Sequence, residues 1–362
     1  MPPISLMLKP ASSNCNLRCE YCFYHDVAES RTTPSRGVMR LELLEDVIKK
    51  AVAFTKGEQI MISFQGGEPL LAGKEFFYAF LEMLPRLNVY NSPISIGIQT
   101  NGTLIDEEWC DIFLKGNFLV GLSLDGTEKT NALRIDANGN PTFDSIYNSA
   151  KLLQRKGVEF NILTVLTKPI AENIEEIYAF YKENAFKHLQ FIPCLKPLNN
   201  EQKPLDVNVD FFLTAEDYFA FLVKAFALYS KDYREGNYTS IRQFDNFVLL
   251  AHFERAEQCG MNGHCTHQYV IEGDGEVYPC DFYCTDKYSL GYIQDTDFFA
   301  LEKHPTAVNF IKESLVVLDK CHHCKYFLLC RNGCKRERID IDKCSAYKKF
   351  FPLAIPELKK MF

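Results

Sequence analysis

The chain has 362 residues, 47% hydrophobic and 24% charged, with a formal charge of −7. That is ordinary globular usage, enough for one large or two moderate domains, and it argues against a sequence-independent nucleic-acid surface, which needs clustered Lys and Arg. No apolar run approaches the ~20 residues of a spanning helix, and the N-terminus lacks the basic-then-apolar layout of a secretory signal. The 14 cysteines therefore point to metal ligation rather than disulfides, in the cytoplasm of an organism with low oxygen exposure, with no membrane or nucleic-acid partner expected.

In chain order, residues 4–9 read as a short buried strand. At its C-terminal end stands the run Cys15, Asn16, Leu17, Arg18, Cys19, Glu20, Tyr21, Cys22. Three thiolates at these spacings can wrap one face of a 4Fe–4S cluster and leave the fourth iron open to a non-protein ligand. A closed zinc site wants four ligands, and His25 is the only further candidate nearby. Leu41, Leu44, Val47, Ile48, Ala51 and Val52 recur at helical spacing. The apolar run 60–64 reads as a strand covered on both faces, ending in Gln65, Gly66, Gly67, Glu68 and Pro69.

The rhythm continues with a helix over 74–84, a strand over 94–99, a helix beginning at Asp106, and a strand over 118–124. A helix over 143–155, a strand over 160–166, a helix over 173–182 and a strand over 189–194 follow. Six β/α units of this kind imply an α/β fold with a parallel sheet. A partial (β/α)6 barrel is the expected form, because each functional cluster follows a strand, the catalytic end of such barrels. Residues 196–210 read as a long loop and 215–229 as a helix. The turn at Glu235, Gly236 and Asn237 marks a boundary between an N-terminal domain, 1–236, and a C-terminal domain, 237–362.

Polar residues gather where the strands end. Gly66 and Gly67 suit a close approach of backbone to ligand, and Glu68 adds a carboxylate. Gln99, Asn101, Ser123 and Asp125 could satisfy hydroxyl, carboxylate or peptide groups, although Asn-Gly and Asp-Gly are also ordinary turns. Arg134 is a candidate for an anionic ligand group. Tyr21, Tyr24 and Leu195 are candidates to pack on a cofactor or substrate.

The last third holds Cys259, Cys265, Cys280, Cys321, Cys324, Cys330, Cys334 and Cys344, enough for two fully ligated clusters or, alternatively, two zinc sites. A hairpin turning at Asp274 and Gly275 delivers Cys280. Cys110 reads as core and Cys194 as near the barrel mouth. Cys284, close to Cys280, is the residue most able to displace an assigned ligand, with the neighbouring histidines a further alternative.

The Cys-x3-Cys-x2-Cys run resembles the radical S-adenosylmethionine (SAM) superfamily, and the later cysteines resemble the SPASM extension of its peptide-modifying members. Four stretches resemble the anaerobic sulfatase-maturating enzymes: 10–13, 22–25, 64–69 and 99–104. So do 259–263 and 278–283. The resemblance implies three 4Fe–4S clusters: Cys15, Cys19 and Cys22 with SAM on the open iron; Cys259, Cys265, Cys280 and Cys334; and Cys321, Cys324, Cys330 and Cys344. It implies SAM contacts from the backbone of Gly66, Gly67 and Glu68, with Tyr21, Gln99, Asn101, Ser123, Arg134 and Leu195 as further SAM candidates on position and residue type. Substrate contacts would come from Tyr24, Gln65 and Asp125.

The implied reaction oxidises a Cys or Ser, in a Cys/Ser-x-Pro-x-Arg segment of an unfolded or nascent sulfatase, to Cα-formylglycine. Hydrogen is taken from Cβ, a proton passes to a carboxylate, expected to be Asp281, and an electron passes to an auxiliary cluster. An electron donor such as flavodoxin or ferredoxin is expected. The alternative is a SPASM enzyme modifying another peptide, for example by thioether cross-linking.

Overall fold

The computed structural model describes residues 1–199, 203–205 and 209–361, so part of the loop expected over 196–210 lies outside the described residues. Nine strands are present among them: β1 (Ile4–Leu8), β2 (Ile60–Phe64), β3 (Ile94–Thr100), β4 (Phe118–Ser123), β5 (Phe160–Leu166), β6 (His188–Pro193), β7 (Ser240–Ile241), β8 (Val270–Ile271) and β9 (Val277–Tyr278). The chain forms two compact units. The first comprises Met1–Ser123, Ile135–Phe160 and Thr266–Phe310; the second comprises 124–134, 161–265 and the residues from 311 onward.

In the first unit β1 pairs with β2, β2 with β3 and β3 with β4, all parallel, with Ile4 opposite Ile60 and Leu8 opposite Phe64. The other edge of β1 takes β8, again parallel, and β9 closes antiparallel on β8. Residues beyond 266 thus complete a sheet begun at residue 4. The inward positions Ile60, Ile62 and Phe64 are buried, whereas Met61 is 48% exposed. This corrects the expectation of a strand covered on both faces: an apolar run does not show which of its alternate side chains lack a cover. Phe64 packs edge-on against Phe77 and Phe80, with centroids 5.0 and 4.9 Å away, contacts made possible by the Lys74–Leu87 helix. Asp106 caps the Glu107–Lys115 helix by accepting from Trp109 N–H at 2.9 Å, as its position predicts.

In the second unit β5, β6 and β7 run parallel. The Ala215–Arg234 helix begins at a capping box of Thr214 and Asp217 and runs past the expected end at 229. The short strand β7, which follows the turn at 235–237, gave no signal in the sequence because two residues are too few to show a period.

The loop after β1 is held by the segment after β2. Gly67 and Glu68 donate their N–H groups to the carbonyls of Ser12 and Asn14 at 2.8 and 2.7 Å. A Cβ on Gly67 would lie 2.0 Å from the Asn14 carbonyl oxygen, and one on Gly66, whose φ is +114°, would lie 2.5 Å from that of Ser12. Only glycine meets both demands. Glu68 is fully buried. Its carboxylate accepts from Leu70 N–H at 3.0 Å, Thr100 Oγ1 at 2.8 Å and Asn101 N–H at 2.8 Å, tying the ends of β2 and β3 together.

Two outcomes follow from this junction. Gly67→Ala should leave the far-ultraviolet dichroism intact while displacing the cysteine loop, so that anaerobic reconstitution yields about four fewer irons per chain, the content of one cubane cluster. Burial lifts the Glu68 carboxyl to about 7, against the pull of its three donors. The folded state then keeps a proton that the unfolded chain releases, so this stabilisation is complete below the ordinary carboxyl range and is lost as pH rises through 7. Denaturant titrations should show wild type losing up to about 3 kcal/mol relative to Glu68→Gln between about pH 4.5 and 7.5.

Candidate active site and cluster-binding cysteines

The three N-terminal cysteines sit on a compact turn in the first unit. Leu17 N–H points at Cys15 Sγ at 3.4 Å, and Cys22 N–H closes on the Cys19 carbonyl at 3.1 Å. Asn101, just beyond β3, donates to Cys15 Sγ at 3.7 Å and to Asn16 Oδ1 at 2.9 Å. It therefore orients the loop and its first thiol together. The Cys15 thiol is pushed up to about 11, mainly by burial, with Glu68 and Cys22 adding to the effect. His25 Nε2 lies 3.3 Å from Arg18 Nη1. Burial and that cation both lower its proton affinity.

Cys22 immediately precedes the short helix Phe23–Glu29, which turns Tyr24 toward the segment after β9. The Tyr24 hydroxyl donates to Asp281 Oδ2 at 2.6 Å and lies 3.3 Å from Gln65 Oε1. Asp281 is only 7% exposed, and its Oδ1 lies 2.9 Å from Lys9 Nζ. The Lys9 ammonium also lies 3.6 Å from Glu272 and 3.3 Å from Cys284 Sγ. Burial works against its charge, but Asp281, Cys284 and Glu272 more than reverse this and hold it protonated. Glu272 is fixed in turn by Arg31 at 2.6 Å and Ser12 Oγ at 2.7 Å. Burial would lift its carboxyl, yet Lys9 and Arg31 hold it below the usual range. Tyr24, Gln65 and Asp281 are thus brought together as expected. Lys9, Glu272 and Arg31 were not legible as part of the site, although a lysine ending a buried strand is a signal.

The remaining strand-end candidates divide between the two units. Gln99 lies within β3, Asn101 follows it, and Ser123 ends β4, the last two buried. The Glu68 side chain is turned inward, its N–H is taken by the Asn14 carbonyl, and its own carbonyl accepts from Leu71 N–H at 3.2 Å. Gly66 and Gly67 are engaged on one side by the cysteine loop. Tyr21 is half-buried on that loop. In the second unit Arg134 pairs with Asp125, Nε to Oδ2 at 2.8 Å and Nη2 to Oδ1 at 3.3 Å, and both are buried. Val165 N–H also donates to Asp125 at 2.8 Å. Leu195 is buried just beyond β6.

The second unit gathers seven of the C-terminal cysteines. The Cys330 thiol is pushed up by burial and then by Cys344, Cys321 and Cys324, so these four sulfurs lie within electrostatic reach of one another. Cys334 is pushed up to about 12 by burial, then by Glu337 and Cys265, and Cys259 is raised by burial and Cys265. Cys265 N–H is anchored to Ser314 Oγ at 2.8 Å. Cys259 is exposed and the other six are half-buried; thiols crowded in this way must give up their protons to bind a metal, so metal affinity here would rise with pH. Cys280 lies in the first unit, after the β8–β9 hairpin. Cys284 is fully buried there and packs with Val270 and Tyr278. Its thiol is pushed up to about 12 by burial, despite Lys9, so its surroundings are core and ammonium. Cys110 is likewise core. Among the described residues no cysteine forms a disulfide, no helix is long and apolar enough to cross a membrane, and no three His, Cys, Asp or Glu side chains converge on a single metal ion.

Known proteins share this arrangement. The radical SAM superfamily model matches residues 10–182 and the SPASM iron–sulfur cluster-binding domain model residues 259–325. The chain is 43% identical to the cysteine-type anaerobic sulfatase-maturating enzyme of Clostridium novyi, covering 99% of this chain and 97% of that one. Identity to its Clostridium perfringens counterpart is 44%, covering 99% and 98%. The serine-type enzyme of Bacteroides thetaiotaomicron is 28% identical, covering 99% and 91%. The structure of native anSMEcpe with bound AdoMet and Cp18Cys peptide matches with a TM-score of 0.93 at 42% identity, covering 99% and 98%. With its parallel-stranded α/β fold, its radical SAM domain and its SPASM domain, the chain belongs to the anaerobic sulfatase-maturating enzymes.

Proposed function

We propose that this protein oxidises a cysteine in a Cys-x-Pro-x-Arg segment of an unfolded or nascent sulfatase to Cα-formylglycine. One observation carries the choice of residue: identity is 43–44% to cysteine-type relatives and 28% to the serine-type relative, at similar coverage. In this reading Cys15, Cys19 and Cys22 hold the SAM-binding cluster. Cys259, Cys265, Cys280 and Cys334 hold one auxiliary cluster, and Cys321, Cys324, Cys330 and Cys344 the other. The radical SAM segment spans 1–236 and the SPASM segment 237–362. SAM is contacted by Tyr21, the backbone of Gly66 to Glu68, Gln99, Asn101, Ser123, Arg134 and Leu195. The protein works in the cytoplasm with a flavodoxin or ferredoxin as electron donor, and without nucleic acid or membrane.

When bound, the clusters and SAM would supply the one-electron chemistry, hydrogen abstraction from Cβ and acceptance of the second electron. The residues of the chain do the rest. Tyr24 and Gln65, with Asp125, position the peptide. Asp281 takes the proton that must leave as the side chain is oxidised, a role that needs a carboxylate within hydrogen-bond reach of the substrate. Its second oxygen, held by Lys9, is not needed for that transfer. Loss of two protons and two electrons from –CH2SH gives a thioaldehyde, and water then replaces sulfur with oxygen.

Mass spectrometry of a Cys-x-Pro-x-Arg peptide incubated with reconstituted protein, SAM and reductant should show exchange of the thiol for an aldehyde oxygen. A cross-linked peptide instead would replace this reading with another SPASM activity. Asp281→Asn should still form 5′-deoxyadenosine in the presence of peptide but make formylglycine about 100-fold more slowly or worse; an unchanged rate with intact clusters would show that another group takes the proton. Replacing Cys15, Cys19 and Cys22 together by Ala should remove about four irons and all SAM cleavage, as read by iron assay and chromatography.

A further inference from the structure

Alternation along β1 puts Ile4, Leu6 and Leu8 on one face, so Lys9 shares the opposite face with Met7. Met7 packs on the Val270, Tyr278 and Cys284 core behind the β8–β9 hairpin. The Lys9 ammonium, 2% exposed, therefore enters an apolar wall and emerges against Asp281. A lysine so placed is uncommon: its charge must be fully compensated, and a buried cation is kept only where partners surround it. Three do so here. Asp281 Oδ1 is 2.9 Å away, Cys284 Sγ 3.3 Å and Glu272 Oε1 3.6 Å, while the Tyr24 ring lies 4.9 Å below the ammonium. Glu272 is braced from behind by Arg31 and Ser12. Two cations and two anions thus alternate in a line from Arg31 through Glu272 and Lys9 to Asp281.

We propose that Lys9 is a positioning residue for the proton-accepting step. By holding Oδ1 of Asp281 it fixes the carboxylate so that Oδ2, shared with Tyr24, is presented to the substrate thiol, whose proton must leave once a Cβ hydrogen has gone. The inference rests on the reading of Asp281 as the proton acceptor and assigns it a partner. The Lys9 ammonium makes its polar contacts with Asp281, Glu272 and Cys284, while its aliphatic stem passes beside Gly66, 3.2 Å from where a Cβ there would sit. Its loss therefore strikes the second half of the reaction, after hydrogen abstraction. Cys284 has a related place. Its sulfur receives Lys9 and itself points at the Cys280 carbonyl at 3.6 Å, joining the lysine to the segment that carries Asp281.

The test is the ratio of formylglycine to 5′-deoxyadenosine, which a merely structural defect would leave unchanged because both products would fall together. Lys9→Met, with peptide present, should form 5′-deoxyadenosine within about threefold of wild type while formylglycine falls at least ~10-fold, a smaller loss than that of the base itself. Lys9→Arg, which keeps a cation, should recover most of the coupling. The arms separate the two readings. If Asp281→Asn uncouples the products and Lys9→Met does not, the lysine assignment alone is overturned. If neither uncouples them, the proton-acceptor reading falls first. If Lys9→Met, Lys9→Arg and Lys9→Gln all lose iron and both products in proportion, Lys9 supports only the fold and the proposal is wrong.

Discussion

The loop that carries the first three cysteines depends on one close approach, the backbone of Ser12 to Asn14 lying directly on Gly66 and Gly67. Two N–H groups donate across this contact, and neither glycine has room for a Cβ. The constraint works in both directions. The loop cannot leave without exposing unpaired backbone donors, each costing about 1–3 kcal/mol if left buried. The segment after β2 cannot take another residue without pushing the cysteines away. Glu68 extends the same constraint to β3 by gathering donors from Leu70, Thr100 and Asn101. Asn101 then reaches back to Cys15, so the ends of three adjacent strands and the first thiol form one connected set.

Electrostatics dominate the other side of the unit. Lys9, Glu272, Arg31 and Asp281 are all nearly removed from water, and an isolated buried charge costs several kcal/mol. Their alternation compensates this cost only because the distances are short and each carboxylate has a second donor, Ser12 for Glu272 and Tyr24 for Asp281. Such a line specifies geometry more than it adds stability. A salt link behind Asp281 together with a phenol beside it leaves that carboxylate little freedom to rotate, which suits the proposed role of accepting the substrate's thiol proton.

The second unit solves a different problem. Its cysteines come from segments far apart in sequence and are crowded enough to raise one another's proton affinity. Without a metal guest these neutral thiols supply only modest packing. With one, ligation draws several short helices and turns together, and binding free energy becomes folding free energy. The many brief elements after residue 311, among them Asp319–His322 and Phe327–Cys330, are too short to be stable as isolated helices and rely on tertiary contacts.

Much of this was legible in the residues alone. The strand and helix rhythm, the capping of the helix at Asp106, the hairpin at Asp274 and Gly275, and the cysteine spacings are local signals, written within a few positions of one another. Periodicity and turn chemistry therefore determined the element order, while ligand spacing pointed to metal centres and the resemblance to the radical SAM superfamily named them as 4Fe–4S clusters. Tertiary structure alone decided what depends on residues brought together across the chain. It left Met61 at the surface in an apolar run and turned the Glu68 carboxylate inward. It buried Cys284, 275 positions from Lys9, against that ammonium, and joined Tyr24 to Asp281 across 257 positions. Sheet pairing of β1 with β8 creates these neighbours, and because that pairing is set by the packing of the whole unit rather than by any local pattern, no window of sequence contains it.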